Sequence, residues 1–473
     1  MPTATHVTEQ REPLIQRQSV TKESEESLPS SSSSLIPTSP ENRRFESLDV
    51  FRGLTVALMI LVDDAGGAFP MLNHSPWFGM TSADFVMPFF LFVVGFSISL
   101  AFKNVSNKAL ATKRIVWRTI KLFLLGLFLQ GGYFHGRGIL TYGVDVDNLR
   151  LMGILQRIAI GYLFASLTET WLLNEVSVGT PMKFAERYVF QILFLLFLYF
   201  SYSCFLHGLY VPDWSFHLPS ATSSSDSYTV KCGVTGSLEP SCNAAGLIDR
   251  TILGVNRLYP RPAYRRVKDC SVNSPDYGPL PLDSPSWCLA PFDPEGILSS
   301  LMAIVTCLIG LQYGHIAIHH RQNKNQIMLT WCVASLSLVA IGYVFEYLSV
   351  PACKALYTPS YTCITGGTAG IVLMVIYYIV EVNGVRKPTA VFHWMGMNAL
   401  VIYVLGACDV ASVVVQGLYW NSPENNLVDG TEMLLQSIVR SNKWGTLVFV
   451  ILEIGFWGVF ALFLHRRGVY FKM

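Results

Sequence analysis

From residue 48 onward the chain keeps returning to runs of about 20 apolar residues, the length a helix needs to cross the hydrocarbon of a bilayer. About ten such runs can be read, at 48–68, 83–102, 115–133, 151–173, 188–208, 296–318, 327–349, 363–381, 390–416 and 444–464. Inside hydrocarbon the backbone must satisfy its own hydrogen bonds, and none of the runs alternates with the period of a barrel strand, so helices are expected. The expected fold class is all-α, a polytopic integral membrane protein with about ten transmembrane helices. Charged residues make up 14% of the chain and hydrophobic ones 51%, where soluble domains carry roughly 25% charge, so a soluble enzyme is not expected. With 34 basic and 32 acidic residues the formal charge is only +2, and no excess points to nucleic acid.

Four regions are expected: a disordered cytosolic tail over 1–46, helices one to five over 47–208, a lumenal cysteine-containing segment over 209–295, and helices six to ten with a short cytosolic C-terminus over 296–473. The tail holds no apolar run and includes the serine tract Ser30 to Ser34 flanked by Pro29, Pro37 and Pro40. It lacks the basic start and apolar core of a signal peptide. Its Glu12-Pro13-Leu14-Ile15 approaches an acidic dileucine signal, with Gln10 four positions before Leu14, and suggests a lysosomal or vacuolar membrane. Lys103, Lys108, Lys113 and Arg114 follow the second run, Lys183 and Arg187 the fourth, Arg321 and Lys324 the sixth, Arg386 and Lys387 the eighth, and Arg466, Arg467 and Lys472 the last. The connection 69–82 has no cation and the one after the seventh run has only Lys354, so both termini are expected in the cytosol.

The segment 209–295 then falls on the lumenal side, its seven basic residues notwithstanding, because long loops escape the charge rule. Cys232, Cys242, Cys270 and Cys288 lie there, with Cys353 and Cys363 near the next lumenal turn, an even set suited to disulfides with 15 pairings open. No Cys-x-x-Cys with matching histidines favours zinc, and no metal is expected. Two sequons, Asn73-His74-Ser75 and Asn104-Val105-Ser106, are expected to stay unmodified, the first because it hugs the membrane and the second because it is cytosolic.

Ionisable groups at membrane-helix ends are costly and usually functional. The densest set surrounds the first lumenal turn: Asp63 and Asp64 end the first run, Gly66-Gly67 follows, His74 sits in the cation-free connection, and Asp84 opens the second run. An imidazole near carboxylates can serve as a general base or be acylated itself. Helix-end carboxylates can equally be caps, and a lone loop histidine can be inert.

Motifs narrow the reading. Ser47-Leu48-Asp49-Val50-Phe51-Arg52-Gly53 precedes an apolar helix, then come His74-Ser75-Pro76-Trp77-Phe78-Gly79-Met80-Thr81-Ser82-Ala83-Asp84 and Pro88-Phe89-Phe90-Leu91-Phe92. Further on stand Gly153-Ile154-Leu155-Gln156-Arg157, Gly246-Leu247-Ile248-Asp249-Arg250 with Leu258-Tyr259, Phe292-Asp293-Pro294-Glu295-Gly296-Ile297-Leu298 and Gly396-Met397-Asn398-Ala399-Leu400-Val401-Ile402-Tyr403. In this order, from residue 44 nearly to the C-terminus, the series resembles the lysosomal transmembrane heparan-alpha-glucosaminide N-acetyltransferases. Several of the motifs are polar and position-specific, which membrane composition alone does not produce.

The resemblance implies an acetyltransferase that takes acetyl from cytosolic acetyl-CoA and delivers it to the amine of a terminal glucosamine in the lumen. It places the family's active-site histidine on His74 and leaves both an acetyl-histidine and direct transfer open. Implied partners are acetyl-CoA, a lumenal amino sugar or glycan and the lipid bilayer, with a homodimer left open. The charged CoA head cannot cross hydrocarbon, so Arg52 and, in the second connection, Lys113, Arg114 and Arg118 are candidates for its phosphates, the alternative being positive-inside anchoring. Arg52 also belongs to a Leu-Asp-x-x-Arg-Gly string similar to the opening of the broader membrane O-acyltransferases. Asp84, Arg157 and Asn398 are candidates for the acceptor: Arg157 pairs with Asp84, Asp145 or another carboxylate or polarises substrate, and Asn398 lines the conduit or bonds a neighbouring helix. Trp77 is expected to anchor at the interface rather than to stack on a sugar.

Departures from the family pattern bear on acceptor choice more than on reaction class. Asp63 stands where the family carries Asn eleven residues before the histidine, so it is expected either to be protonated by burial or to orient His74. The Gly-His-Glu of the ninth span is replaced near Gly406-Ala407-Cys408-Asp409, and an extra N-terminal lumenal region with one more helix is missing. Rival readings are an O-acetyltransferase of a lumenal polysaccharide, a small-molecule transporter, for which no internal repeat is seen, and a non-catalytic scaffold, against which the retained His74 speaks.

Overall fold

The computed structural model describes residues 45–103, 107–130, 149–173, 181–217, 227–408 and 410–471. The dileucine-like string, the sequon at Asn104, Asp145, Asp409 and Lys472 lie outside them. The helices run α1 (Glu46–Ala65), α2 (Val86–Ala101), α3 (Lys108–Leu129), α4 (Ile154–Trp171), α5 (Pro181–Gly208), α6 (Ala244–Ile252), α7 (Ile297–His319), α8 (Lys324–Tyr347) and α9 (Pro359–Tyr377). They continue with α10 (Ala390–Met397), α11 (Ala399–Ile402), α12 (Val410–Gln416), α13 (Leu427–Val439) and α14 (Asn442–Arg466). Asparagine side chains start several of them by accepting the first free backbone N–H groups: Asn107 for α3, Asn243 for α6, Asn323 for α8 and Asn426 for α13.

Among the described residues seven helical stretches are long and apolar enough to cross a membrane: Ser82–Ala101, Glu186–Gly208, Ile297–His319, Lys324–Tyr347, Pro359–Val382, Ala399–Gln416 and Asn442–Arg466. The protein is an all-α polytopic membrane protein. The other three expected spans are helices too, but charged ones: α1 carries Asp49, Arg52, Asp63 and Asp64, α3 a set of lysines and arginines, and α4 Arg157 and Glu169. The expected ninth span, 390–416, is not one rod. It breaks at Asn398 and resumes through a π-helical turn over Tyr403–Ala407, next to residues of low helix propensity, Gly396 and Gly406.

The centre of the bundle is the pair α2 and α7, packed backbone to backbone. A Cβ on Gly95 would lie 1.8 Å from the Cys307 carbonyl oxygen, and one on Gly310 would lie 2.0 Å from that of Phe92. The same approach joins α1 to α10, where a Cβ on Gly53 would meet the Phe392 carbonyl at 1.8 Å and one on Gly396 the Asp49 carbonyl at 1.7 Å. Small residues at such crossings are how membrane helices come close. On α5, α8 and α14 the apolar side chains Phe197, Phe200, Leu329, Val333, Phe456 and Val459 stay exposed, as a surface meant for lipid would.

Residues 209–217 and 227–295 form a small cap. Strand β1 (Tyr210–Val211) pairs antiparallel with β4 (Val234–Thr235), and β2 (Trp214–His217) with β3 (Ser227–Val230), two ribbons that the apolar-run reading did not anticipate. Disulfides Cys232–Cys242 and Cys270–Cys288 close its loops. The expected bridging stops there: Cys353 and Cys363 are free, Cys353 buried in a loop and Cys363 already inside α9.

The cap joins the bundle through Asp249, which is buried on α6 and accepts the Ile297 N–H that opens α7 at 2.8 Å. Burial raises its carboxyl to about 7, against the pull of that hydrogen bond. The folded protein therefore holds this proton more tightly than the unfolded chain, and the contribution to stability is largest below the usual carboxylate range and declines as pH rises toward 7. Asp249→Asn keeps the acceptor and removes the titration. Its melting temperature is expected to exceed that of the wild type above about pH 7 and to converge with it below about pH 4, as read by thermal unfolding in detergent.

Candidate active site

Helix α1 ends at Ala65, and the chain crosses the end of the bundle before a 3₁₀ turn, Ser82–Phe85, leads into α2. His74 lies on this crossing. Asp84, fully buried in the turn, holds it: Oδ1 accepts from His74 Nδ1 at 2.9 Å, while Oδ2 accepts the N–H groups of Ser75 at 3.1 Å and Thr81 at 3.0 Å and the Thr81 hydroxyl at 3.0 Å. Asp84 is thus both the third residue of a helix start, reaching back to its cap, and the anchor of the imidazole. Because an ionised carboxylate only accepts, the ring proton belongs on Nδ1 and the lone pair is left on Nε2. The carbonyl of Asp84 accepts from the Tyr361 hydroxyl of α9, and the carbonyl of His74 accepts from Arg266 of the cap.

From the other half of the chain comes Lys354. Its Nζ lies 3.0 Å from Nδ1 and 3.2 Å from Nε2 of His74 and 3.9 Å from Asp84 Oδ1. The loop carrying it is fastened to the histidine crossing, with Phe78 bridged to Cys353 and the Gly79 N–H donated to the Ala352 carbonyl at 2.8 Å. Enclosure of the ring and the Lys354 ammonium push the His74 imidazole below its usual value, against Asp84, which favours the protonated form. The His74 side chain nevertheless keeps 37% of its surface, so one edge is open.

Behind the ring stands an ionic cluster. Arg150 donates to Asp293 at 2.8 and 2.6 Å and to Glu295 at 2.5 Å. Burial raises the Glu295 carboxyl, but Arg150, Arg157 and Lys354 outweigh it and hold the group below the usual range. Arg157, also buried, donates to the Pro294 carbonyl at 2.8 Å and to Ser299, with Tyr357 beneath its guanidinium at 5.3 Å. These contacts seat the α7 start rather than pair Arg157 with Asp84.

The remaining predicted residues lie elsewhere. Asp63 is exposed at the end of α1, within electrostatic reach of Tyr403, while the charged groups acting on the His74 ring are Lys354, Asp84 and Glu295. Arg52 is near the opposite end of α1, donating to Asp49 at 2.9 Å and Ser97 at 2.9 Å. Arg118 is exposed on α3, its guanidinium 4.7 Å over the Tyr162 ring. Asn398 is buried at the α10–α11 break on the Asp49 end of the molecule, where its Oδ1 accepts from the Phe471 N–H at 3.4 Å, so it is not brought to His74. Trp77 is neither an interfacial anchor nor an open platform: it is buried against Tyr264 and Phe292 and donates to the Leu238 carbonyl at 2.9 Å, pinning the crossing to the cap. Lys354, Arg266 and Tyr361 were not foreseen as site residues. Lys354 had a signal, as the only cation of its connection, and Glu295 stood inside a quoted motif.

Residues 44–216, which contain the whole histidine crossing, match the family model for the heparan-alpha-glucosaminide N-acetyltransferase catalytic region. The chain is similar to the heparan-alpha-glucosaminide N-acetyltransferases. It is 27% identical over 431 residues to the human heparan-alpha-glucosaminide N-acetyltransferase, covering 86% of this chain and 58% of the human protein. To the mouse heparan-alpha-glucosaminide N-acetyltransferase it is 26% identical over 441 residues, covering 87% of this chain and 60% of the mouse protein. The chain therefore spans about three-fifths of the length of these relatives, and the segment matched by the family model includes the imidazole and its carboxylate.

Proposed function

We propose that the protein is a transmembrane N-acetyltransferase, moving acetyl from cytosolic acetyl-CoA to the amine of a glucosamine-type sugar on the lumenal side of a lysosomal or vacuolar membrane. One observation carries this: an imidazole held through Nδ1 by a buried carboxylate, with Nε2 left to act as the base, lies beyond one end of α1, and a guanidinium suited to phosphate lies near the other. Between Arg52 and the end of α1 the helix rises about 20 Å, a span for the pantetheine arm to cover. Arg52 binds phosphate, His74 takes the acceptor's proton or carries the acetyl group, and Asp84 fixes the tautomer and is not itself a sugar ligand. The disulfide-closed cap and the cation-poor crossing share one side, which fits a lumenal face.

The test is to incubate membranes containing the full chain with labelled acetyl-CoA, with and without glucosamine. His74-dependent label on the amine supports the reading. Uptake of label without transfer would mean a transporter, and inactivity of wild type and His74→Ala alike would mean a scaffold.

The pH profile gives a further check. The base works only unprotonated, so activity is expected to fall as pH drops through the His74 value, placing the acid limb below about 6.5. Lys354 depresses that value, so Lys354→Met should move the acid limb of kcat/KM upward in pH. An unmoved or lowered limb would contradict the assigned role of His74.

A further inference from the structure

Lys354 presents the functional group the proposed reaction consumes, a primary amine, in the position an acceptor amine has to occupy. Its Nζ lies 3.0 Å from Nδ1 and 3.2 Å from Nε2 of His74, against the ring and close to the nitrogen that Asp84 leaves unprotonated. If acetyl is carried on Nε2, its carbonyl carbon is one bond from that nitrogen, in the neighbourhood of Nζ where a near-attack pair can form. The lysine's loop is tied to the crossing immediately before it, at Ala352 and Cys353. We infer that Lys354 is itself an acetyl acceptor, N-acetylated by the protein's own transfer chemistry when no sugar amine fills the site. This rests on the acetyltransferase reading above.

The step balances without a further reagent. The Lys354 ammonium gives one proton to His74 or water, and the free amine attacks the thioester carbonyl, or the acetyl carried on His74. A C–N bond forms; in direct transfer the C–S bond of acetyl-CoA breaks and the second amine proton passes through His74 to the departing thiolate, whereas from acetyl-His74 the acetyl–Nε2 bond breaks and that proton goes to the freed ring nitrogen, the C–S bond having broken when the acetyl was loaded. The products are Nε-acetyl-lysine and CoA thiol, with one proton released. The amide has no charge and no nucleophilic lone pair. It sits where the acceptor must enter, so the modification shuts the site and removes the cation beside His74.

The experiment uses the purified full chain in detergent and acetyl-CoA bearing a trideuterated acetyl group, with Lys354 followed by tandem mass spectrometry and the exposed Lys268 as internal reference for uncatalysed acetylation. The expected result is deuterated acetyl on Lys354 well above Lys268, suppressed by added glucosamine and at least about 10²-fold slower in His74→Ala. Lys354→Arg, which keeps a cation, should take no label in that peptide. Should the wild type acetylate glucosamine while Lys354 stays unmodified, the inference is wrong and the function stands. Equal labelling of Lys354 in wild type and His74→Ala also overturns it, as solution chemistry. Transfer to neither glucosamine nor Lys354 overturns the acetyltransferase reading and this inference with it.

Discussion

His74→Ala is expected to lower the rate of acetyl transfer to glucosamine by at least two orders of magnitude, within the roughly 10²- to 10⁴-fold range of a positioned acid–base group. Alanine removes the only ring whose tautomer Asp84 sets, and leaves the Asp84 carboxylate its bonds to Ser75 and Thr81, so the crossing should keep its path. The protein should therefore stay soluble in detergent and elute as the wild type does, with the loss confined to turnover. A residual rate within tenfold of wild type, on protein of normal elution, removes His74 from the reaction. Asp84→Asn provides the companion measurement: the amide can present its N–H₂ to Nδ1 and stabilise the wrong tautomer, and a loss of similar order is expected.

Gly310→Ala is expected to abolish folded protein. The added methyl would lie 2.0 Å from the Phe92 carbonyl oxygen and 2.9 Å from the Phe92 Cα, both backbone atoms of a helix that cannot rotate out of the way as a side chain can. Relief requires α2 and α7 to separate, and these two helices are the centre of the bundle. Overpacking of a well-packed core costs about 1–3 kcal/mol where side chains absorb it; with two backbones in contact the cost should exceed that range and consume much of a total stability of roughly 5–15 kcal/mol. Gly455→Ala on α14, where a Cβ meets nothing within 4 Å, is the control and should be neutral. Monodisperse elution of Gly310→Ala at wild-type yield would show that the seam is looser than the distances indicate.

The bundle was legible because lipid imposes one rule, about 20 apolar residues per crossing, and α7, α8, α9 and α14 obey it plainly. The departure at 390–416 arose because hydropathy averages over Asn398 and cannot see a break. The cap was less legible, its ribbons too short for a period to register and two of its expected cysteine partners placed elsewhere by the α9 start. At the site, His74 and Asp84 could be singled out because both stand in one short stretch between two apolar runs, ten residues apart. Lys354 and Arg266 lie 280 and 192 residues away from His74 and meet it only through tertiary packing. The interior pair Glu169 and His315, 3.0 Å apart between α4 and α7, escaped for the same reason, each looking isolated in its own helix.

The fastening of Phe78 to Cys353, with Gly79 bonded to Ala352, sews the N-terminal half of the bundle to the C-terminal half beside the imidazole. A rocking motion that parted the halves would carry the ring and the ammonium away from each other and dismantle the site it was meant to open. On the proposed function, donor and acceptor would then approach by the unsewn flank of the ring, through local movement there.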